Sequence, residues 1–87
     1  MSTAVSELPT YAALLADVVR PLLTEPDALA ISEDRYKNAV TLGFKVHSED
    51  AGRVIGSRGA TIRAIRTTLE FAAEAHSDRV TIELVDD

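Results

Sequence analysis

No cysteine occurs among the 87 residues. That excludes disulfide staples, thiol catalysis and cysteine-based zinc or iron–sulfur centres. Two histidines, 29 positions apart, are too few for a histidine-rich metal site. Aromatic residues are as scarce, at 5%. Phe44 and Phe71 are assigned to the core and Tyr11 to a helix stripe, so no stacking platform of the kind used by single-strand binders is expected. No apolar run approaches the roughly 20 residues that cross a bilayer. The opening residues MSTAVSELPT show neither a basic leader nor an apolar core. The expectation is a cytoplasmic protein without signal peptide or membrane contact.

What is present is one domain's worth of chain with globular composition, 46% hydrophobic and 26% charged. The net charge of -5 argues against a nucleic-acid partner, because such domains are usually basic. The distribution argues the other way. Residues 53–66 hold Arg53, Arg58, Arg63 and Arg66 and no acid, leaving five bases against fourteen acids elsewhere. Local focusing of this kind attracts an anion even when the whole molecule repels it.

Residues 1–9 are expected to form a flexible tail, ended by Ser6 or Thr10 as a helix cap, and 10–87 the folded domain. From Tyr11 the apolar residues Leu14, Leu15, Val18, Val19, Leu22 and Leu23 recur at helical spacing. Pro21 should kink or tighten that helix, and Pro26 should stop it. A short strand is predicted over 28–32, followed by a polar turn over 33–38. Val40, Leu42, Phe44 and Val46 then alternate with Thr41, Gly43, Lys45 and His47, which predicts a half-buried strand. Gly43 in its middle suggests a bulge or a close backbone approach. Ser48 with Glu49 and Asp50 opens a short helix. A longer one spans about 60–76, with Ile62, Ile65, Leu69, Ala72 and Ala73 inward and Arg66 paired to Glu70. Val80, Ile82 and Leu84 form a last strand. The order helix, strand, strand, helix, helix, strand predicts an α+β fold, a three-stranded sheet with three helices on one face.

The informative stretch runs from Asp50 to Arg66. Gly56 and Gly59 bracket Ser57 and Arg58 between two helices. Glycine there lets backbones approach closely. Free N–H groups at the start of the long helix, where the dipole is positive, suit a phosphate. Arg58 adds charge at the tip, flanked by Arg53 and Arg63. Val54, Ile55 and Ile62 supply an apolar wall for an unstacked base. A lone G-x-x-G is weak and equally fits a plain helix connection with a glycine cap. The stronger signal is V-I-G-x-x-G-x-x-I-x-x-I placed between helices, with an alternating strand on either side.

This context resembles the KH domain, whose GXXG loop clamps the backbone of four nucleotides. A leading helix followed by two strands is similar to the prokaryotic type II arrangement, α-β-β-α-α-β. The length is similar to that of the KhpA family of small bacterial single-KH proteins, and the resemblance covers about residues 11–85. It implies a single-stranded-RNA-binding chaperone of the cytoplasm. It implies a homodimer or a heterodimer with a KhpB-like larger KH protein, and an influence on cell elongation and envelope homeostasis. The implied RNA-binding residues are Arg53, Val54, Ile55, Gly56, Ser57, Arg58, Gly59, Ala60, Ile62 and Arg63. Family members commonly carry lysine before V-I-G, where Arg53 stands, lysine in the loop, where Ser57 and Arg58 stand, and a base after the second glycine, where Ala60 stands.

The residues offer no enzyme. His47 reads as a solvated strand residue and His76 as a helix C-terminal cap, and neither has a serine or carboxylate at a spacing that prepares a nucleophile. Asp50, Asp86 and Asp87 read as caps and solvated termini rather than a metal site, Glu33 and Asp34 as turn residues. The phosphate loop of nucleotide hydrolases needs a Lys-Ser/Thr that is missing after Gly59. No cofactor is expected. The competing function is a protein-interaction module that chiefly dimerises, with little RNA affinity of its own. Gly52, Ala64, Ala72 and Ala73 would allow the close approach of another surface.

Overall fold

A computed structural model describes residues 11–85. The predicted tail and its cap, and Asp86 and Asp87, lie outside them. Helix α1 spans Tyr11–Val19 and buries Tyr11, Leu15 and Val19, the i, i+4, i+8 stripe its sequence announces. Pro21 tightens the end as expected: Arg20–Leu22 winds into a 3-10 turn, closed by the Leu23 N–H on the Arg20 carbonyl at 3.1 Å. The chain is therefore extended by Leu23, before Pro26. Pro26 opens a second 3-10 turn, Pro26–Ala28, where its missing N–H costs nothing.

Strand β1, Ala30–Tyr36, pairs antiparallel with β2, Ala39–Lys45. This corrects the sequence expectation: Glu33–Tyr36 is strand, and only Lys37 and Asn38 turn the chain, Lys37 with a left-handed φ of 56°. The polar run hid the strand because β1 is an edge whose side chains are mostly exposed. Register places Ile31, Glu33 and Arg35 opposite Phe44, Leu42 and Val40, on the face that carries the core. Gly43 sits opposite Ser32 with no break in register. A Cβ there would stand 3.1 Å from the Ser32 hydroxyl oxygen, so the close approach is real, to a side chain. Strand β3, Arg79–Leu84, lies parallel to β2 and forms the other edge, giving the order β1-β2-β3.

Between β2 and β3 come a 3-10 turn, Ser48–Asp50, and the one-turn helix α2, Ala51–Ile55. A further 3-10 turn, Ser57–Gly59, leads into α3, Ala60–Glu74. The core is a single layer in which Leu15, Val19, Val54, Ile65, Leu69 and Ala73 from the helices meet Val40, Leu42, Phe44, Val80 and Ile82 from the sheet. All three helices thus cover one face, as the alternation required. Phe71 is not part of that core. It is 78% exposed on α3. It lies two residues from Leu69 and two from Ala73, about 200° around the helix from each, so the spacing itself contradicts a core assignment.

Candidate nucleic-acid interface

The glycine-bracketed tip is built by conformations that ordinary residues avoid. Gly56 has φ 76° and ψ 176°, a region open essentially to glycine alone. A Cβ on it would lie 2.7 Å from Thr61 Cβ and 2.8 Å from the Thr61 backbone nitrogen. Arg58 and Gly59 are both left-handed, at φ 56° and 75°. For Arg58 this costs about 1–2 kcal/mol. The strain is held by neighbours. The Gly56 N–H donates to the Gly52 carbonyl at 2.8 Å, and the Gly59 N–H to the Gly56 carbonyl at 3.1 Å. The Ala60 N–H returns to the Ser57 carbonyl. Arg63, one turn into α3, donates from its guanidinium to the Arg58 carbonyl at 2.7 Å.

These bonds revise the expected anion site. The Gly59 and Ala60 amides are used within the loop, so the helix start presents fewer donors than its position suggests. The Ser57 hydroxyl and the Arg58 guanidinium are exposed at the tip, and among the described residues neither has a hydrogen-bond or ion-pair partner. Arg53 lies 3.7 Å from Asp50 and is partly neutralised by it. Arg66 makes no ion pair with Glu70 among the described residues, which corrects the predicted pairing. Val54 is fully buried in the core and cannot form part of an apolar wall. Ile55 is 42% exposed and Ile62 half-buried, and these two flank the loop, with Ala60 exposed between them as the first residue of α3.

Asp50, expected to be a solvated cap, is buried and makes no capping bond to α2. Its carboxylate instead accepts the Thr24 N–H at 3.1 Å, the Thr24 hydroxyl at 2.8 Å and the Glu25 N–H at 3.0 Å. The segment after α1 is thereby tied to the start of α2, which carries the loop. Burial pushes the Asp50 carboxyl up, but these donors and the Arg53 charge outweigh it and leave the group below its ordinary value. The cap of this region is His47, whose Nδ1 accepts the Glu49 N–H at 3.1 Å, so His47 is a turn residue rather than a plain strand residue. No spacing rule singles out Asp50. Its role depends on Thr24 and Glu25 folding back across about 25 residues.

The far end of α3 carries a second polar cluster. Tyr11 donates its hydroxyl to Asp78 at 2.6 Å, and Arg35 reaches the same carboxylate at 3.2 and 3.3 Å. The Arg35 and Tyr11 hydrogen bonds hold Asp78 below its usual value, while burial pushes the Tyr11 phenol up to about 12. His76 lies in the turn after α3, its ring edge-on to Tyr11 at 6.4 Å.

A strand, two helices joined through a glycine-bracketed tip, and a return strand parallel to the first, preceded by a helix and an antiparallel strand, define a KH domain of the type II arrangement. The profile of the family described as KhpA/KhpB, KH domain, matches residues 12–84. The chain belongs to this family. It is 36% identical over 72 residues to the RNA-binding protein KhpA of Clostridium acetobutylicum, covering 83% of this chain and 96% of that one. It is 34% identical over 73 residues to the RNA-binding protein KhpA of Bacillus subtilis, covering 84% and 90%. Among solved structures, Era in complex with MgGDPNP and nucleotides 1506–1542 of 16S ribosomal RNA superposes with a TM-score of 0.61 at 16% identity, over 90% of this chain and 31% of that one. Aquifex aeolicus Era bound to GDP.AlF4- gives 0.60 at 16% identity, over 85% and 29%. The chain spans about a third of Era's length, and that likeness concerns the fold alone. No helix among the described residues is long and apolar enough to cross a membrane.

Proposed function

We propose that this protein binds single-stranded RNA through the Gly56–Gly59 loop, without catalysis. The observation that carries the reading is the Ser57 hydroxyl and Arg58 guanidinium, exposed without a partner among the described residues on a tip held in a strained, braced conformation between α2 and α3. The names of its KhpA relatives support it. Ser57 and Arg58 would hold a phosphate, and Ile55 and Ile62 would face a base. With the family resemblance, the reading extends to a cytoplasmic RNA chaperone, paired with itself or with a KhpB-like protein and influencing cell elongation and the envelope. The test is titration of single-stranded RNA against the wild type and a variant carrying both Ser57→Asp and Arg58→Asp, at two salt concentrations. Circular dichroism must show both proteins folded. The variant should bind at least tenfold more weakly, since two charges are added and one removed where a phosphate would sit. Equal binding by the folded variant rejects the loop as the clamp.

A second reading is self-association, which the exposed Phe71 favours. It lines an open groove of about 470 Å³ between α3 and the edge strand β3, with Thr67, Val80 and Arg79. Ala73 is buried in the core and unavailable for this, while Gly52 and Ala64 are exposed. Sedimentation at tens of micromolar should then show a dimer that Phe71→Glu dissociates. A wild type sedimenting only at 9.4 kDa rejects a stable homodimer.

A further inference from the structure

We propose that Arg63 is a positioning residue that braces the loop and does not itself bind phosphate. The proposal rests on the RNA reading above for its binding arm, but not for its structural arm. Sequence position places Arg63 beside Arg58 as one of several equivalent cations. The geometry separates them. Arg63 donates to the Arg58 carbonyl at 2.7 Å, a short, charge-assisted bond across the base of the tip. Arg58 itself is exposed, and no hydrogen bond or ion pair to its guanidinium occurs among the described residues.

The bond falls where the loop backbone is left-handed. Arg58 and Gly59 are consecutive left-handed residues, at φ 56°, ψ 29° and φ 75°, ψ 16°. The peptide joining them carries the carbonyl that Arg63 takes. An arginine in the left-handed region persists only where surrounding groups over-determine it. Here the nearest side-chain group that does so is Arg63. Gly59 serves the same bond: a Cβ there would stand 3.2 Å from the bonded guanidinium nitrogen of Arg63. Glycine at 59 therefore meets two demands, a left-handed φ and room for the brace. Removing Arg63 should free the tip to sample other conformations, and part of the binding free energy would then be used to restore one of them.

Charge and positioning make different demands on salt. A cation that neutralises a phosphate contributes about 0.7 to the slope of log K against log salt for single strands. A brace contributes affinity without contributing to that slope. The experiment titrates a single-stranded RNA oligonucleotide against wild type, Arg58→Ala and Arg63→Ala at four salt concentrations. Backbone amide exchange of 56–60 is measured in the free proteins, and thermal melts are run in parallel. Arg58→Ala should lower both affinity and slope, the slope by about 0.7. Arg63→Ala should weaken binding by about three- to tenfold with the slope unchanged. It should also speed exchange of the loop amides while leaving the melting temperature close to wild type, because the side chain is exposed. A slope reduced in Arg63→Ala as much as in Arg58→Ala overturns the proposal. So does loop exchange identical to wild type. A wild type that binds no RNA rejects the RNA reading instead, and amide exchange still decides the brace.

Discussion

The two ends of α3 use polar groups in opposite ways. At its C-terminal end Tyr11, Arg35 and Asp78 come from three distant parts of the chain and satisfy one another at 2.6 to 3.3 Å. At its N-terminal end the backbone is internally bonded and braced, while the Ser57 hydroxyl and the Arg58 guanidinium have no partner among the described residues. The first cluster is a fastening between α1, the β1–β2 hairpin and β3. It is joined there by the Asn38 amide on the Ser77 carbonyl at 3.3 Å and the Arg79 N–H on the Asn38 carbonyl at 2.7 Å. The second end fixes a shape and leaves its chemistry unspent. Polar residues whose valences are filled inside the fold contribute stability, and those presented unfilled on a rigid frame are available to a ligand.

The largest effect should come from Gly56→Ala, which attacks the frame of the loop itself. The combination of φ 76° and ψ 176° excludes side chains, and the new methyl would meet Thr61 backbone and side chain within 3 Å. We expect a loss of about 3 kcal/mol or more in chemical denaturation, together with loss of RNA binding. Gly59, left-handed at φ 75° and ψ 16°, should tolerate Asn far better, because asparagine visits that region. Equal tolerance at both glycines would dissolve the argument from backbone geometry.

Next in size, Asp78→Ala should break the fastening and spare the loop. It strands the Arg35 charge and the buried Tyr11 hydroxyl. The melting temperature should fall by more than about 5 °C, with RNA affinity of the folded fraction unchanged. The pH profile gives the same comparison a sign. Asp78 and Asp50 both titrate below their ordinary value of 3.8 when folded. Their contribution is present above that pH and is lost as pH falls through the depressed folded values. Tyr11 works in reverse: raised from 10.0 to about 12, its contribution is complete below pH 10 and lost as pH rises through 12. Thermal melts from pH 7 down to pH 2 should therefore show a smaller acid loss in Asp78→Ala than in wild type. An identical acid limb in both would mean that Asp78 is not the acid-sensitive link.

The smallest effect belongs to Arg66→Ala. Arg66 is half-buried and makes no ion pair with Glu70 among the described residues, so stability should move by no more than about 0.5 kcal/mol. Its RNA affinity should fall less than that of Arg58→Ala, since it lies two helical turns beyond the tip. A larger fall would extend the interface along α3, towards the groove at Phe71.

Much of this architecture can be read from spacing. The stripe through Tyr11, Leu15 and Val19 and the alternation of Val40, Leu42 and Phe44 each specify an element and its buried face, because side-chain direction follows backbone period. The glycine pair between apolar helices marks the loop for the same local reason, since only glycine adopts the conformation at Gly56. Strand β1 was less legible. Its Ser32-Glu33-Asp34-Arg35 run carries turn-like polarity, and pairing along one edge of β2 overrides it. Phe71 is legible too: its angular position on α3, two residues from both Leu69 and Ala73, sets it off the buried face that the core assignment requires.

The amino-acid sequence determined by itself whatever depends on the residues' own period and conformational range: the helices, the strands β2 and β3, the layer they form and the exposed loop with its cluster of arginines. The tertiary structure alone decided which polar groups are used and which remain. Asp50 is buried because Thr24 and Glu25 fold back onto it, and Val54 belongs to the core rather than to the interface. Arg63 meets the Arg58 carbonyl because the left-handed tip turns that group towards α3. The physical reason is the range of the interactions. Periodicity and backbone sterics act within a few residues, whereas the partner of a carboxylate or guanidinium is set by whichever donor or acceptor the completed fold brings within 3 Å.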